Sequence, residues 1–212
     1  MFASLTDFLE TMASQPGQVY RDLIPILLIA TVAVVALHFV VALLTRPASR
    51  VKPAGWSWWE RLIYLITVVA VADLGATAFY AVLRYGAMEG WALFVHVLGS
   101  GALVLALPLM AITWAEANRF GRARPVEHPS PEADDADSRR APRFLWLNRL
   151  TFWIILASGF VTVSTMLVSM LPWYDTDGLQ RMLDIHRYSG LLLVVATIFH
   201  LYGVWLRRLG LR

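Results

Sequence analysis

The sequence contains no cysteine among its 212 residues. This absence excludes disulfide bonds, iron–sulfur clusters held by cysteine thiolates, and covalent attachment of haem through a Cys-x-x-Cys-His motif. Charged residues are also scarce, at 16% of the chain, whereas hydrophobic residues make up 58%. This composition is typical of an integral membrane protein rather than a soluble globular domain. Any redox centre in the chain must therefore be held without thiolates or thioethers.

Five apolar segments divide the chain, each close to the ~20 residues that a helix needs to cross a bilayer. They lie at about 23–44, 62–83, 91–114, 149–171 and 187–206. Tryptophans mark their ends, as in an interfacial aromatic belt: Trp58, Trp59, Trp91, Trp114, Trp146, Trp173 and Trp205. We therefore predict an all-α integral membrane protein with five transmembrane helices.

The 18 lysines and arginines are distributed unevenly over the connections. On one side of the predicted membrane lie only Arg21, Arg84, Arg181 and Arg187. The others follow the first, third and fifth spans, so the positive-inside rule predicts an outside N-terminus and a cytoplasmic C-terminus. This topology accounts for the net charge of +3, and we expect no nucleic-acid partner.

Two segments outside the spans have distinct compositions. Residues 1–22 predict an extracytoplasmic interfacial segment with a short amphipathic helix ending at Pro16-Gly17. The apolar face of that helix binds either the membrane surface or a partner. The charged, proline-rich stretch at about 121–142 predicts a disordered cytoplasmic loop. His128 lies in this loop, so we exclude it as a ligand.

The last apolar stretch, 184–205, contains His186 and His200, fourteen residues apart. In a helix this spacing places them within ~40° of one face and ~21 Å apart along the axis, most of a ~30 Å hydrocarbon core. Gly190 and Gly203 follow them closely and would let a flat ring lie against the backbone. The pattern suggests two haems stacked across a bilayer.

The predicted topology sorts four intramembrane histidines into two depth-matched pairs. His96 and His186 fall in the outer leaflet, and His38 and His200 fall in the inner leaflet. They are either packing residues that hydrogen-bond between helices or haem ligands, since each is costly in a membrane without a partner. The sequence nearby lacks the further ligands of a zinc or di-iron site. We therefore predict that the pairs bind haem b, with Gly99 beside His96 repeating the histidine-plus-glycine pattern.

The stretch 58–212 resembles a known family, the prokaryotic cytochrome b561 group. This group includes the di-haem cytochrome b subunits of formate dehydrogenases and nickel–iron hydrogenases. The matching features are WWERLIYLITVVAVADLGATAF at 58–79, the histidine in span three, and IHRYSGLLLVVATIFHLYGVW at 185–205. The histidine pair of the last span is the most specific of these features, and the resemblance covers four spans.

The resemblance implies a four-helix bundle, in a bacterial inner (cytoplasmic) membrane, that holds two b haems. Such a subunit passes electrons between an extracytoplasmic redox subunit of a hydrogenase- or dehydrogenase-like complex and membrane quinone. Quinone is then expected near the inner haem, at residues 58–61 and the start of the loop at 115–148.

The chain departs from the family pattern in two places. The family usually has a histidine just after the Glu-Arg of its first helix, where this chain has Tyr64. The chain also has an additional N-terminal span at about 23–44, which contains His38. Either His38 replaces the lost ligand and the protein holds two haems, or the inner site is vacant and it holds one.

Three further polar residues of the spans have two interpretations each. Arg187 and Arg61 either pair with haem propionates or serve only to orient the spans. Asp73, near the middle of span two, is either a proton relay or a protonated carboxyl group bonded to a neighbouring serine such as Ser100 or Ser164.

The predicted function is a membrane b-type cytochrome subunit, which transfers electrons across the bilayer and is not a stand-alone enzyme. The alternative is a haem-free membrane anchor or assembly subunit of a larger respiratory complex, with the histidines used for packing. A transporter with a path of protonatable groups is less favoured, because the sequence lacks inverted halves with broken helices.

Overall fold

The computed structural model describes residues 6, 11–12, 14–45, 56–120 and 145–209. The predicted interfacial helix lies largely outside these residues, and the predicted disordered loop lies wholly outside them. The described chain forms five long helices and no strand: α1 (Pro16–Thr45), α2 (Trp58–Tyr85), α3 (Gly90–Trp114), α4 (Leu145–Ser169) and α5 (Thr176–Arg208). Each is long and apolar enough to cross a membrane, which confirms the predicted all-α fold.

Local sequence signals set the ends of these helices. Ser57 and Glu60 form a capping box at the start of α2, where the Glu60 amide donates to the Ser57 hydroxyl and the Ser57 amide to the Glu60 carboxylate. Gly86 ends α2 with a φ of 77°, a left-handed conformation that glycine adopts without steric cost. The Asp175 carboxylate caps α5 by accepting from the Gly178 amide at 2.8 Å.

Helices α2 to α5 form a four-helix bundle. The most extensive contacts are those of α2 with α3 and of α4 with α5, and contacts of α2 with α5 and of α3 with α4 close the ring. The central core draws on all four helices: Ile63, Ala70, Val71, Leu74, Leu103, Leu107, Met110, Phe152, Ile155, Leu193 and Ala196. We call the end of the bundle at which α2 begins and α5 ends the basic end, because Arg61, Arg207 and Arg208 lie there.

Buried small polar residues line the α4 face that packs on α5. Thr151, Ser158, Thr162 and Thr165 are buried, and each hydroxyl donates to the carbonyl four residues earlier in α4. Each hydroxyl thus has a partner inside the helix, and Thr151 and Thr162 also contact His200 and Ser189 of α5. The small size of these residues allows close helix packing, as is common between membrane helices.

Helix α1 lies outside the ring, against α5 and, over a smaller area, α2. Much of its surface is apolar and exposed, including Ile29, Leu37 and Leu44. It begins at Pro16, seven residues before the predicted span, so it includes residues 16–22 of the predicted interfacial segment. Proline suits the first turn of a helix, because the amide that it lacks has no partner there.

Candidate functional site: a cavity with two histidines

A cavity of about 440 Å³ lies inside the bundle at the end opposite the basic end. Its walls are mostly apolar side chains of α2, α3, α4 and α5. His96 of α3, His186 of α5 and Gly190 of α5 also line it. Cavities of this size and character are typical of sites for small molecules and cofactors. We call it the histidine cavity.

The structure brings His96 and His186 together. Their ring centroids are 6.3 Å apart and their planes are inclined by 70°. Two imidazole nitrogens on opposite sides of one metal ion lie about 4 Å apart, since each bond is about 2 Å long. Each ring centroid lies about 1 Å farther out, so about 6 Å is expected between the centroids. The observed separation therefore fits two axial ligands of one metal ion.

The hydrogen-bond partners assign the proton of each ring to one nitrogen. The His186 Nδ1–H group donates to the Thr162 carbonyl at 3.0 Å, because a carbonyl can only accept. His96 Nδ1 lies 3.0 Å from Thr77 Oγ1. That hydroxyl gives its own proton to the Asp73 carbonyl at 2.7 Å, so it accepts from the His96 Nδ1–H group. In both neutral rings Nε2 then has the lone pair that a metal ion needs.

The two glycines predicted beside the outer pair have different surroundings. A Cβ atom at Gly190 would meet only Thr162 Cγ2, at 3.9 Å, so this glycine opens onto the histidine cavity. The place of a Cβ atom at Gly99 is taken by the Asp73 carboxyl group. Gly99 thus serves the packing of α2 on α3. The Ser100 hydroxyl, one of the predicted partners of Asp73, donates to the Val97 carbonyl instead.

At the basic end, the ring of His200 lies beside that of Tyr64, with centroids 6.1 Å apart. His200 Nδ1 lies 3.0 Å from Thr151 Oγ1, whose proton goes to the Leu147 carbonyl. His200 therefore has the same protonation pattern as His96. The buried Tyr64 hydroxyl has no hydrogen-bond partner among the described residues, and its ring packs against Trp56 and Trp114. Arg61 is exposed, one helical turn before Tyr64.

The structure does not bring His38 to His200. His38 Nδ1 lies 2.5 Å from the Tyr202 hydroxyl, and the two rings meet edge-on. Tyr202 follows His200 by two residues, which is ~200° around α5. His200 faces α2 and α4 inside the ring, whereas His38 contacts α5 from outside it. These contacts do not support the predicted pairing of His38 with His200.

Sequence reasoning missed four residues that shape the histidine cavity. Thr77 and Thr162 orient the two imidazoles, but nothing in their sequence context marks them. Tyr20 lines the cavity, and Arg21 lies at its mouth. Both precede the span predicted at about 23–44, although Pro16 is a signal for an earlier helix start.

The described residues contain no group of three or more histidine, aspartate or glutamate side chains that is suited to a metal ion. This finding does not bear on haem, whose iron is held by one or two axial side chains. Comparison of the chain with protein-family models, with curated proteins and with solved structures found no match.

Proposed function

We propose that the protein is a membrane b-type cytochrome in which His96 and His186 are the axial ligands of a haem. The observation that supports this most is the pair of imidazoles across an apolar cavity, each with Nδ1–H engaged and Nε2 left as the metal-binding nitrogen. The hydrogen bonds to Thr77 and to the Thr162 carbonyl orient the rings and make them better ligands. Apolar surroundings of this kind tune the potential of a redox site.

A haem bound there supplies a one-electron redox centre within the bundle. The orientation predicted by the positive-inside rule places the histidine cavity near the outer surface, within reach of an extracytoplasmic redox partner. We propose the quinone pool as the other partner.

The first test is a reduced-minus-oxidised optical spectrum of the purified protein, with haem counted per chain by pyridine haemochrome. We expect one low-spin b haem per chain, held by His96 and His186. A count of two would show that His200 has found a second ligand, as the family resemblance implies. A folded protein that takes up no haem when haem is supplied would contradict the proposal and favour the membrane-anchor function.

A second prediction concerns the hydroxyl that orients His96. We expect Thr77→Val to weaken haem binding by about 10- to 100-fold, the range found when outer partners of metal-ligating histidines are removed. Haem transfer to apomyoglobin measures the change. Thr113→Val is the matched control, because Thr113 does not line the histidine cavity and its hydroxyl donates to the Leu109 carbonyl of its own helix. Equal effects of the two substitutions would show that Thr77 does not act through His96.

A further inference from the structure

A polar pocket of about 600 Å³ adjoins the mouth of the histidine cavity. Val82, Gly86 and Arg187 line both spaces, so a bound molecule can extend from one into the other. Arg21 of α1 and Arg187 of α5 both line the polar pocket. An apolar cavity therefore leads to a pocket that two arginines line.

The first turns of α1 form one wall of this mouth. Tyr20 is buried, lines the histidine cavity, and packs edge-on against Tyr188 with ring centroids 5.7 Å apart. The Tyr188 hydroxyl donates to the Pro16 carbonyl at 2.9 Å. A Cβ atom at Gly17 would lie 3.3 Å from Nη1 of Arg187, so the small residue leaves room for the guanidinium group. The start of α1 is thus fixed to α5 where the cavity opens.

Both guanidinium groups make a polar contact within the described protein. Arg21 Nη2 donates to the Leu83 carbonyl in the last turn of α2 at 3.0 Å, and Arg187 Nη1 pairs with the Asp184 carboxylate at 3.1 Å. A guanidinium group has five N–H donors, so most of the donors at this mouth remain for a ligand. Asp22 also lines the pocket, and its carboxylate offsets part of the positive charge of the two arginines. The pocket is therefore distinguished by its hydrogen-bond donors rather than by a large net charge.

We propose that Arg21 and Arg187 bind the carboxylate groups of the cofactor held in the histidine cavity, and that α1 completes the site as its closing wall. This inference rests on the proposed function. A haem has an apolar macrocycle and two carboxylates at one edge. The macrocycle matches the apolar cavity, and the carboxylates need charged donors where it ends, because an unpaired buried carboxylate is costly. Arginine provides such donors in a geometry that fits a carboxylate.

The test uses the full chain with Arg21→Gln and measures haem transfer to apomyoglobin. We expect about tenfold faster release, the effect of losing one hydrogen bond between charged groups. The low-spin spectrum should remain, because His96 and His186 are intact. Arg84→Gln is the matched control: Arg84 is an exposed arginine at the same end of the bundle, it lines neither space, and its substitution should leave the release rate unchanged.

Haem dimethyl ester separates carboxylate binding from a purely structural role of Arg21 at the end of α2. With the ester, wild type should release its haem faster, and Arg21→Gln should add no further acceleration, since the two changes remove the same interaction. Arg21→Lys, which keeps the charge but not the planar fork, should give an intermediate rate with native haem.

Two results would overturn the inference while leaving the proposed function intact. One is native haem released as slowly from the Arg21→Gln and Arg21→Lys variants as from the Arg84→Gln control. The other is equal acceleration of native and esterified haem by Arg21→Gln, which would assign Arg21 to capping α2 alone. A wild-type protein that binds no haem would instead overturn the proposed function itself.

Discussion

Replacing His186 with alanine is expected to abolish the low-spin haem spectrum of the protein. His186 is fixed to the Thr162 carbonyl by its Nδ1–H group and faces His96 across the cavity, so its loss removes one of the two axial ligands that we propose. The remaining ligand leaves at most a weakly held, five-coordinate haem. Optical spectra and haem content per chain measure the effect, which should be matched by His96→Ala.

The control for this experiment is His38→Ala. This substitution also removes an imidazole from a membrane helix, but His38 contacts Tyr202 outside the four-helix ring. We expect it to retain the haem content and spectrum of the wild type. Loss of a haem in this variant would show that His38 is an axial ligand. An unchanged spectrum in His186→Ala would show that the histidine cavity is not the haem site.

The fold was predictable because each membrane helix appears in the sequence as an apolar stretch of about the length needed to cross a bilayer. The bilayer leaves few alternatives for such stretches, since every backbone polar group needs a partner inside the span. The helix starts were less predictable. Helix α1 begins at Pro16 and α5 at Thr176, in polar sequence ahead of each apolar stretch, because caps and tertiary contacts extend a helix beyond its apolar part.

The pairing of His96 with His186 followed from depth alone. Two residues at the same depth on different spans come together if both side chains point into the interior of the bundle. Depth also paired His38 with His200, and there it was insufficient. Depth gives a position along the membrane normal but no angle around it, and α1 packs on the outer face of α5. Only the packing of the helices shows that Tyr64, rather than His38, lies beside His200.

The partners of the imidazoles were beyond prediction for a related reason. Thr77 and Thr162 look like ordinary small residues of membrane helices, and their role depends on which carbonyl or ring lies opposite them. The glycines also differ in what surrounds them, which the sequence does not show. Gly190 opens onto the cavity, whereas Gly99 and Gly203 accommodate the side chains of Asp73 and Asn148.

Filling the histidine cavity through Gly190→Leu is expected to prevent haem binding while both histidines remain. Gly190 lines the cavity, and a Cβ atom there meets nothing closer than Thr162 Cγ2 at 3.9 Å. The added side chain therefore fits the backbone and occupies the space for the ligand. Leucine is also favoured over glycine in a helix by nearly 1 kcal/mol, so the haem-free protein should unfold at a temperature no lower than that of haem-free wild type.

Gly101→Leu makes the same change on α3 at a position that is exposed, does not line the cavity, and has no atom within 4 Å of an added Cβ. Its haem content should equal that of the wild type. Haem per chain and thermal unfolding, measured on both variants, separate loss of the site from loss of the fold. Normal haem content in Gly190→Leu would mean that the cofactor lies elsewhere in the bundle, since a leucine there and a macrocycle between His96 and His186 compete for the same volume.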